Sequence, residues 1–194
     1  MLIFWEPRLV FLATPKAGST AIEAALEPLA AVAVQRPAAL KHVDIKAFRD
    51  HVQPWLESVG GGSFTTVALM REPVDWLRSW YRFKLRDDHE DPEHLMEGVS
   101  FAQFASNYAS ENGPKQMSMV GQAQFLTGGS SPADRIFRYE EMPRFVEFLE
   151  DQLDCAINLP RVNVPPIVDV DLDANQEAAL RIAMAADIRL YQTL

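Results

Sequence analysis

The chain has 194 residues, 48% of them hydrophobic and 23% charged, which is enough apolar material for a core and argues against wholesale disorder. Its formal net charge of −9 argues against a nucleic-acid or anionic-membrane partner, because such partners favour a basic surface. A single cysteine, Cys155, rules out an intrachain disulfide and a metal site built on cysteines.

The start of the chain lacks the features of a secretory signal, since it has neither a basic segment nor a cleavage site before Glu6. The most apolar long stretch, residues 21–40, contains charged residues and prolines that do not suit a bilayer. We therefore expect a cytoplasmic protein without a membrane span, made of one domain over residues 1–194.

The first recognisable unit is a strand, a loop and a helix. Residues 9–13 are a continuous apolar run, which is typical of a strand buried on both faces. Residues 14–20 are rich in turn formers, and residues 21–29 have the alanine, leucine and glutamate content of a helix. This order predicts the opening of an α/β unit, with the loop at a helix N-terminus.

The rest of the chain continues the alternation. A β-branched strand is predicted over residues 64–70, and the helix that follows begins around Arg71-Glu72-Pro73 and runs to about residue 85. Further elements are a helix at 101–108, a strand at 135–139, an amphipathic helix at 141–153, an extended segment at 159–171 and a helix at 175–194. Since helices separate the strands, we expect an α/β fold with three α/β/α layers around a central, mainly parallel sheet.

The loop after the first strand has the chemistry of an anion site. Gly18 lets backbone amides approach an anion, Ser19 and Thr20 add hydroxyl donors, and Lys16 supplies a positive charge. It is not a Walker A loop, because the lysine precedes the glycine. The alternative is an ordinary strand–helix turn with a surface lysine.

A second anion position is predicted where the 64–70 strand ends. Arg71 lies at the carboxyl end of that strand, and Ser79 follows two helical turns later. An arginine with a hydroxyl partner suits a phosphate monoester. The alternative is a charged helix face with pairs such as Asp75 with Arg78.

Together the two segments resemble sulfotransferases that use 3′-phosphoadenosine 5′-phosphosulfate (PAPS). Residues 15–20, P-K-A-G-S-T, are similar to their 5′-phosphosulfate loop, P-K-x-G-[ST]-[ST]. Residues 71–82 resemble their 3′-phosphate segment, R-D-P-x-x-R-x-x-S-x-Y, with Glu72 in place of the usual aspartate and Trp76 in place of the usual arginine. The motif style is closest to the carbohydrate and uronyl O-sulfotransferases.

The resemblance implies a P-loop NTPase-like sulfotransferase fold and transfer of a sulfuryl group from PAPS to a hydroxyl or amine. It implies that Lys16 stabilises the leaving phosphate and that no metal is required. The residues that it assigns to PAPS binding are Pro15, Lys16, Ala17, Gly18, Ser19, Thr20, Arg71 and Ser79.

The expected acceptor base is His42. Residues 42–48 resemble the H-V-x-x-x-x-F segment of uronyl 2-O-sulfotransferases, in which the histidine is the base. A neutral imidazole suits proton abstraction near pH 7. The alternative is a loop histidine with a structural hydrogen bond, and His51, Glu23 and Asp44 are other candidates for the base.

The acceptor itself is not identified by the sequence. A small-molecule or carbohydrate acceptor is expected, and the oligomeric state stays open. The acidic segment 87–97 is expected to be a solvated loop. The alternative is that it borders the acceptor cleft, where its charge would disfavour polyanionic glycans.

Gln116 and Ser118 are candidates for adenine contact, whereas Trp76 and Trp80 are expected to pack in the core.

Two other functions fit parts of the pattern. A P-loop nucleotide kinase or related phosphotransferase is disfavoured by the position of Lys16 and by the lack of an obvious magnesium-binding acid at a strand end. The other is a catalytically inactive nucleotide-binding module. Both share the phosphate positions with a sulfotransferase, so they differ from it in donor preference and in catalysis.

Overall fold

A β-sheet forms the centre of one part of the fold. The computed structural model describes residues 1–87, 96–110, 119–160, 162 and 167–194. The described residues form one five-stranded sheet in the order β3-β1-β2-β4-β5. Its strands are β1 (Leu2–Phe4), β2 (Leu9–Leu12), β3 (Val32–Ala33), β4 (Thr65–Met70) and β5 (Arg135–Arg138). Only β1 runs against its neighbours, which confirms the α/β class with a mostly parallel sheet.

Ten α-helices lie in the described part of the chain. They are α1 (Ser19–Leu26), α2 (Ala38–Lys41), α3 (Ile45–Ala47), α4 (Gln53–Gly60), α5 (Pro73–Asp87), α6 (Phe101–Ala109), α7 (Gln122–Thr127), α8 (Met142–Leu153), α9 (Ala174–Ala183) and α10 (Ala185–Gln192). A π-helical turn, Phe48–Val52, joins α3 to α4. Among these helices, none has both the length and the apolar composition needed to cross a membrane.

The predicted strands at 9–13, 64–70 and 135–139 correspond to β2, β4 and β5. The helix predicted at 175–194 is divided at Met184, which ends α9 and precedes α10. The strands β1 and β3 were not predicted, because segments of three and two residues are too short to show a periodic pattern.

The chain divides into two compact units, and the first contains residues 1–71, 122–162 and 194. One face of its sheet packs against α1 and α8. The buried residues of this cluster include Leu9, Phe11, Val67, Leu69, Ile22, Leu26, Phe145 and Leu149. The alternate residues of β2 and β4, such as Val10 and Ala68, are fully buried as well. Burial on both faces explains the continuous apolar runs that predicted these strands.

The second unit contains residues 72–121 and 163–193. Its hydrophobic cluster is built from α5, α6, α9 and the segment before α9, and it includes Trp76, Leu77, Phe104, Leu180 and Met184. Trp76 is 1% exposed and packs edge-on against Trp80, so these rings belong to the packing of this unit, as predicted. The single domain expected over residues 1–194 stays a prediction.

The pairing of β4 with β5 is fixed at its amino end by Asp134. Its carboxylate accepts hydrogen bonds from the backbone N–H and the hydroxyl of Thr66, both at 2.7 Å. The backbone N–H of Asp134 donates in turn to the Thr66 hydroxyl at 2.9 Å. This contact sets the register of the two parallel strands, and the register decides which residues meet where the strands end.

Candidate functional site

Three parallel strands end side by side, and candidate site residues follow each end. β2 pairs in parallel with β4, and β4 pairs in parallel with β5. The loop of residues 14–18 follows β2, Arg71 follows β4, and Tyr139 follows β5. The carboxyl edge of a parallel sheet is where α/β proteins bind ligands.

The loop places a helix N-terminus at this edge. Lys16 and Gly18 have positive φ angles, 62° and 81°, which turn the chain sharply into α1. Gly18 is the residue before the helix, and none of the side chains that the structure describes caps this end. The first backbone N–H groups of a helix have no acceptor within it, and the helix dipole favours an anion there.

The side chains of the predicted loop differ in exposure. Ala17 is 1% exposed and packs in the core of the first unit, so its contribution to a ligand site is limited to its backbone. Ser19 is 5% exposed, whereas Thr20 lies at the surface and Pro15 is half-buried. Of the two predicted hydroxyls, Ser19 is the buried one.

Thr14, one residue before the predicted PAPS-binding segment, adds a further hydroxyl. It is 1% exposed, and its Oγ1 has no hydrogen-bond partner among the described residues. A buried hydroxyl without a partner costs about 1–3 kcal/mol, because the group has lost its water and gained nothing in return. A polar ligand at the loop is one way to satisfy it.

Tyr139 packs directly over the loop. A Cβ atom added to Gly18 would lie 2.9 Å from Cε2 of Tyr139 and 3.3 Å from Cε of Met142. Position 18 therefore requires glycine for two reasons, a left-handed backbone and a close neighbour. The sequence motif includes the glycine, but it does not name the ring that needs it.

The backbone of Arg71 is held by the side-chain amide of Gln122. Its N–H donates to Oε1 of Gln122 at 2.9 Å, and Nε2 of Gln122 donates to its carbonyl oxygen at 2.8 Å. Gln122 is the first residue of α7 and is 1% exposed. Sequence reasoning missed this residue, because a glutamine 51 positions away carries no local signal of such a contact.

The side chain of Arg71 stacks on the same tyrosine that covers the loop. Its guanidinium carbon lies 4.8 Å from the centre of the Tyr139 ring. Its Nε is buried and donates to no acceptor among the residues that the structure describes. Because a cation–π contact uses the face of the guanidinium, the N–H groups in its plane stay suited to an anion.

His42 lies beside the end of β2. Its Nδ1 is 2.6 Å from the carbonyl oxygen of Ala13, the residue before Thr14. A carbonyl only accepts, so in the neutral imidazole the proton is on Nδ1 and the lone pair is on Nε2. Burial lowers the pKa of His42, and the hydrogen bond to Ala13 opposes that shift. The neutral, basic form is therefore the main form at pH 7.

Ser79 lies on α5 in the second unit and is half-buried, and its assignment to the 3′-phosphate stays a prediction. The pair considered as the alternative for this helix is present, since Arg78 contacts Asp75 at 2.8 Å. Arg78 also donates to the carbonyl oxygen of Val170 at 3.3 Å, within the same unit. Arg78 thus has structural contacts.

The remaining candidates divide into three groups. His51 is exposed, and Asp44 caps α3 by accepting a hydrogen bond from the Ala47 N–H at 2.7 Å. Glu23 is buried and pairs with Lys41 at 2.7 Å. Gln116, Ser118 and most of the acidic segment 87–97 lie outside the described residues.

In comparisons with known proteins, no family model, no curated protein and no solved structure matches the chain. The function proposed below therefore depends on the geometry of the first unit and on the resemblance of its motifs.

The contact of Tyr139 with Gly18 can be tested with a pair of alanine variants. Gly18 and Gly61 both have positive φ, but a Cβ on Gly61 has no atom within 4 Å. Gly61→Ala should lose about 1–2 kcal/mol of unfolding free energy from the backbone alone. Gly18→Ala should lose clearly more, because it also displaces the ring.

Urea unfolding of both variants measures the two losses. Equal losses would contradict the close packing of Tyr139 on the loop.

Proposed function

We propose that this protein is a sulfotransferase that moves a sulfuryl group from PAPS to a hydroxyl or amine acceptor. The observation that carries the proposal is that one ring, Tyr139, contacts both anion-binding positions, the Gly18 loop and Arg71. Two such positions suit a nucleotide with phosphate groups at both ends. The proposal includes the three-layer, P-loop NTPase-like fold that the motif resemblance implies.

The donor would be held by groups that the first unit offers. The amides at the start of α1 and the hydroxyls of Thr14 and Ser19 suit the 5′-phosphosulfate. The in-plane N–H groups of Arg71 suit the 3′-phosphate. Thr14 Oγ1 and Arg71 Nε support this, since neither has a hydrogen-bond partner among the described residues and a polar ligand would satisfy them.

The transfer step follows from these roles. The acceptor oxygen forms a bond to sulfur while the bond from sulfur to the bridging phosphate oxygen breaks. Nε2 of His42 takes the acceptor proton, and Lys16 stabilises the negative charge that the leaving phosphate gains. Adenosine 3′,5′-bisphosphate is then the second product.

Donor preference separates the three candidate functions. We expect adenosine 3′,5′-bisphosphate to raise the melting temperature without added Mg²⁺, and AMP to raise it much less. A nucleotide kinase would instead respond to Mg-ATP, and this outcome would refute the proposal. Binding of the bisphosphate without transfer from labelled PAPS to any acceptor of a broad panel would favour an inactive module.

Arg71 supplies the sharpest test of the donor site. Arg71→Ala should weaken bisphosphate binding by about 10- to 100-fold, which corresponds to the loss of charge-assisted hydrogen bonds. The matched control is Arg135→Ala, because Arg135 also stacks on a ring, that of Phe148 at 5.3 Å, but lies where β5 begins. In titration calorimetry, Arg135→Ala should bind the bisphosphate with the affinity of the wild type. Equal losses in both variants would contradict a phosphate site at Arg71.

Lys16 is expected to act in the transfer step more than in binding. Lys16→Met keeps the length of the side chain and removes its charge, so the transfer rate should fall by about 100- to 1,000-fold. Lys46→Met is the control, since Lys46 is 62% exposed and pairs with Asp50. A rate for Lys16→Met within a few-fold of the wild type would remove Lys16 from the mechanism.

His42→Asn separates the structural role of the ring from its role as a base. The asparagine amide can still donate to the Ala13 carbonyl, but it has no nitrogen that accepts a proton. We expect transfer from labelled PAPS to fall by at least about 100-fold, with bisphosphate binding retained. His51→Asn, an exposed position, should leave the rate unchanged. Retained transfer in His42→Asn would refute the assignment of the base.

A further inference from the structure

A buried carboxylate lies next to the segment that carries His42. Glu23 of α1 is 3% exposed, and its Oε2 lies 2.7 Å from Nζ of Lys41, the residue before His42. Its Oε1 lies 3.5 Å from the amino nitrogen of Met1. Burying a carboxylate costs several kcal/mol unless opposite charges accompany it, so this pairing offsets the cost of burying Glu23.

The same cluster also holds the backbone of this segment. The amino group of Met1 donates to the carbonyl oxygens of Lys41 at 3.1 Å and of Val34 at 3.0 Å. The N–H of His42 donates to the carbonyl oxygen of Ala38 at 2.9 Å. Lys41 is thus fixed through both its side chain and its backbone. Because His42 is the next residue in the chain, this also restricts where the His42 ring can lie.

We infer that Glu23 is a positioning residue, which through its ion pair with Lys41 holds the His42 ring against the Ala13 carbonyl and balances the charge around it. The catalytic part of this role rests on the proposed function. The electrostatic part does not, because it concerns only the ionisation of His42. The sequence also offers Glu23 as an alternative base. This role suits Glu23 less well, because its carboxylate is already paired with Lys41 and with the Met1 amino group.

Within the described part of the chain, three charged groups act on His42, each from a different element. They are Glu23 on α1, Lys41 on α2 and the Met1 amino group before β1. After burial, which is the largest effect and lowers the pKa of His42, Lys41 and the amino group lower it further, whereas Glu23 raises it. Removal of Glu23 leaves the Lys41 ammonium uncompensated beside His42, and removal of Lys41 deprives the Glu23 carboxylate of its nearest cation.

The two halves of the ion pair therefore predict opposite shifts. Glu23→Gln and Lys41→Met both break the same contact, so a purely structural role would affect His42 in the same way in both variants. The charge argument predicts a lower pKa of His42 in Glu23→Gln and a higher one in Lys41→Met, by about one pH unit each. Glu57→Gln is the control, because the Glu57 side chain is half-buried and accepts a neutral hydrogen bond from Gln53.

Proton NMR of the imidazole signals measures these shifts without any assay of activity. The chain contains four histidines, and the signal that His42→Asn removes is that of His42. Opposite shifts of this signal, with Glu57→Gln unchanged, support the assignment. An unchanged titration in both variants, or shifts in one direction, would overturn it.

Activity supplies the second readout. The base acts in its neutral form, so the acid limb of the pH–rate profile lies at the pKa of His42. It should move to lower pH in Glu23→Gln and to higher pH in Lys41→Met. Rates on the plateau should fall at least about 10-fold in Glu23→Gln, since its ring is less well held. Acid limbs that do not follow the NMR titration would overturn the catalytic part.

Two further results keep the inference separable from other failures. If Glu23→Gln does not fold, Glu23→Asp keeps the charge but shortens the reach, so it should keep a near-normal His42 titration with a reduced rate. A changed titration in Glu23→Asp in the direction expected for Lys41→Met would overturn the charge argument. If the two variants shift the His42 titration in opposite directions but the wild-type protein transfers no sulfuryl group, the shifts support the electrostatic role. The absence of transfer then overturns the proposed function.

Discussion

The contact of Tyr139 with Gly18 on one side and Arg71 on the other is the constraint on which the candidate site depends. The ring limits position 18 to glycine, and it orients a guanidinium without using its hydrogen-bond donors. It reaches both because β5 pairs in parallel with β4, in a register that Asp134 and Thr66 hold. A hydrogen bond at the amino end of the strands thus determines what meets at their carboxyl ends.

The site keeps polar groups that the folded chain does not satisfy. The hydroxyl of Thr14 and the Nε of Arg71 are buried without a partner in the part of the chain that the structure describes. Each lowers stability in the absence of a ligand, whereas the polar side chains of Asp134 and Gln122 in the same unit are paired. This contrast is the pattern expected where stability has been given up for binding.

The sequence predicts what local pattern controls. The strand, loop and helix around Gly18 and the strand that ends at Arg71 follow from apolar runs and turn residues, and both positions are found at one sheet edge. Gln122, Tyr139 and Glu23 contact residues that are far from them in the chain. Local sequence spacing does not predict such contacts. The strands β1 and β3 were missed because segments of three and two residues are too short to show a periodic pattern.

The two hydrogen bonds between Arg71 and Gln122 give the site a property of their own. These bonds join the end of β4 to the first turn of α7, so the main chain at Arg71 is held in place while α7 stays folded. For the anion that we propose at Arg71, local opening of α7 and occupancy of the site would be linked equilibria, each opposing the other. The backbone amides of α7 should exchange with deuterium more slowly when the anion is bound, although the helix follows Arg71 by fifty residues in the chain.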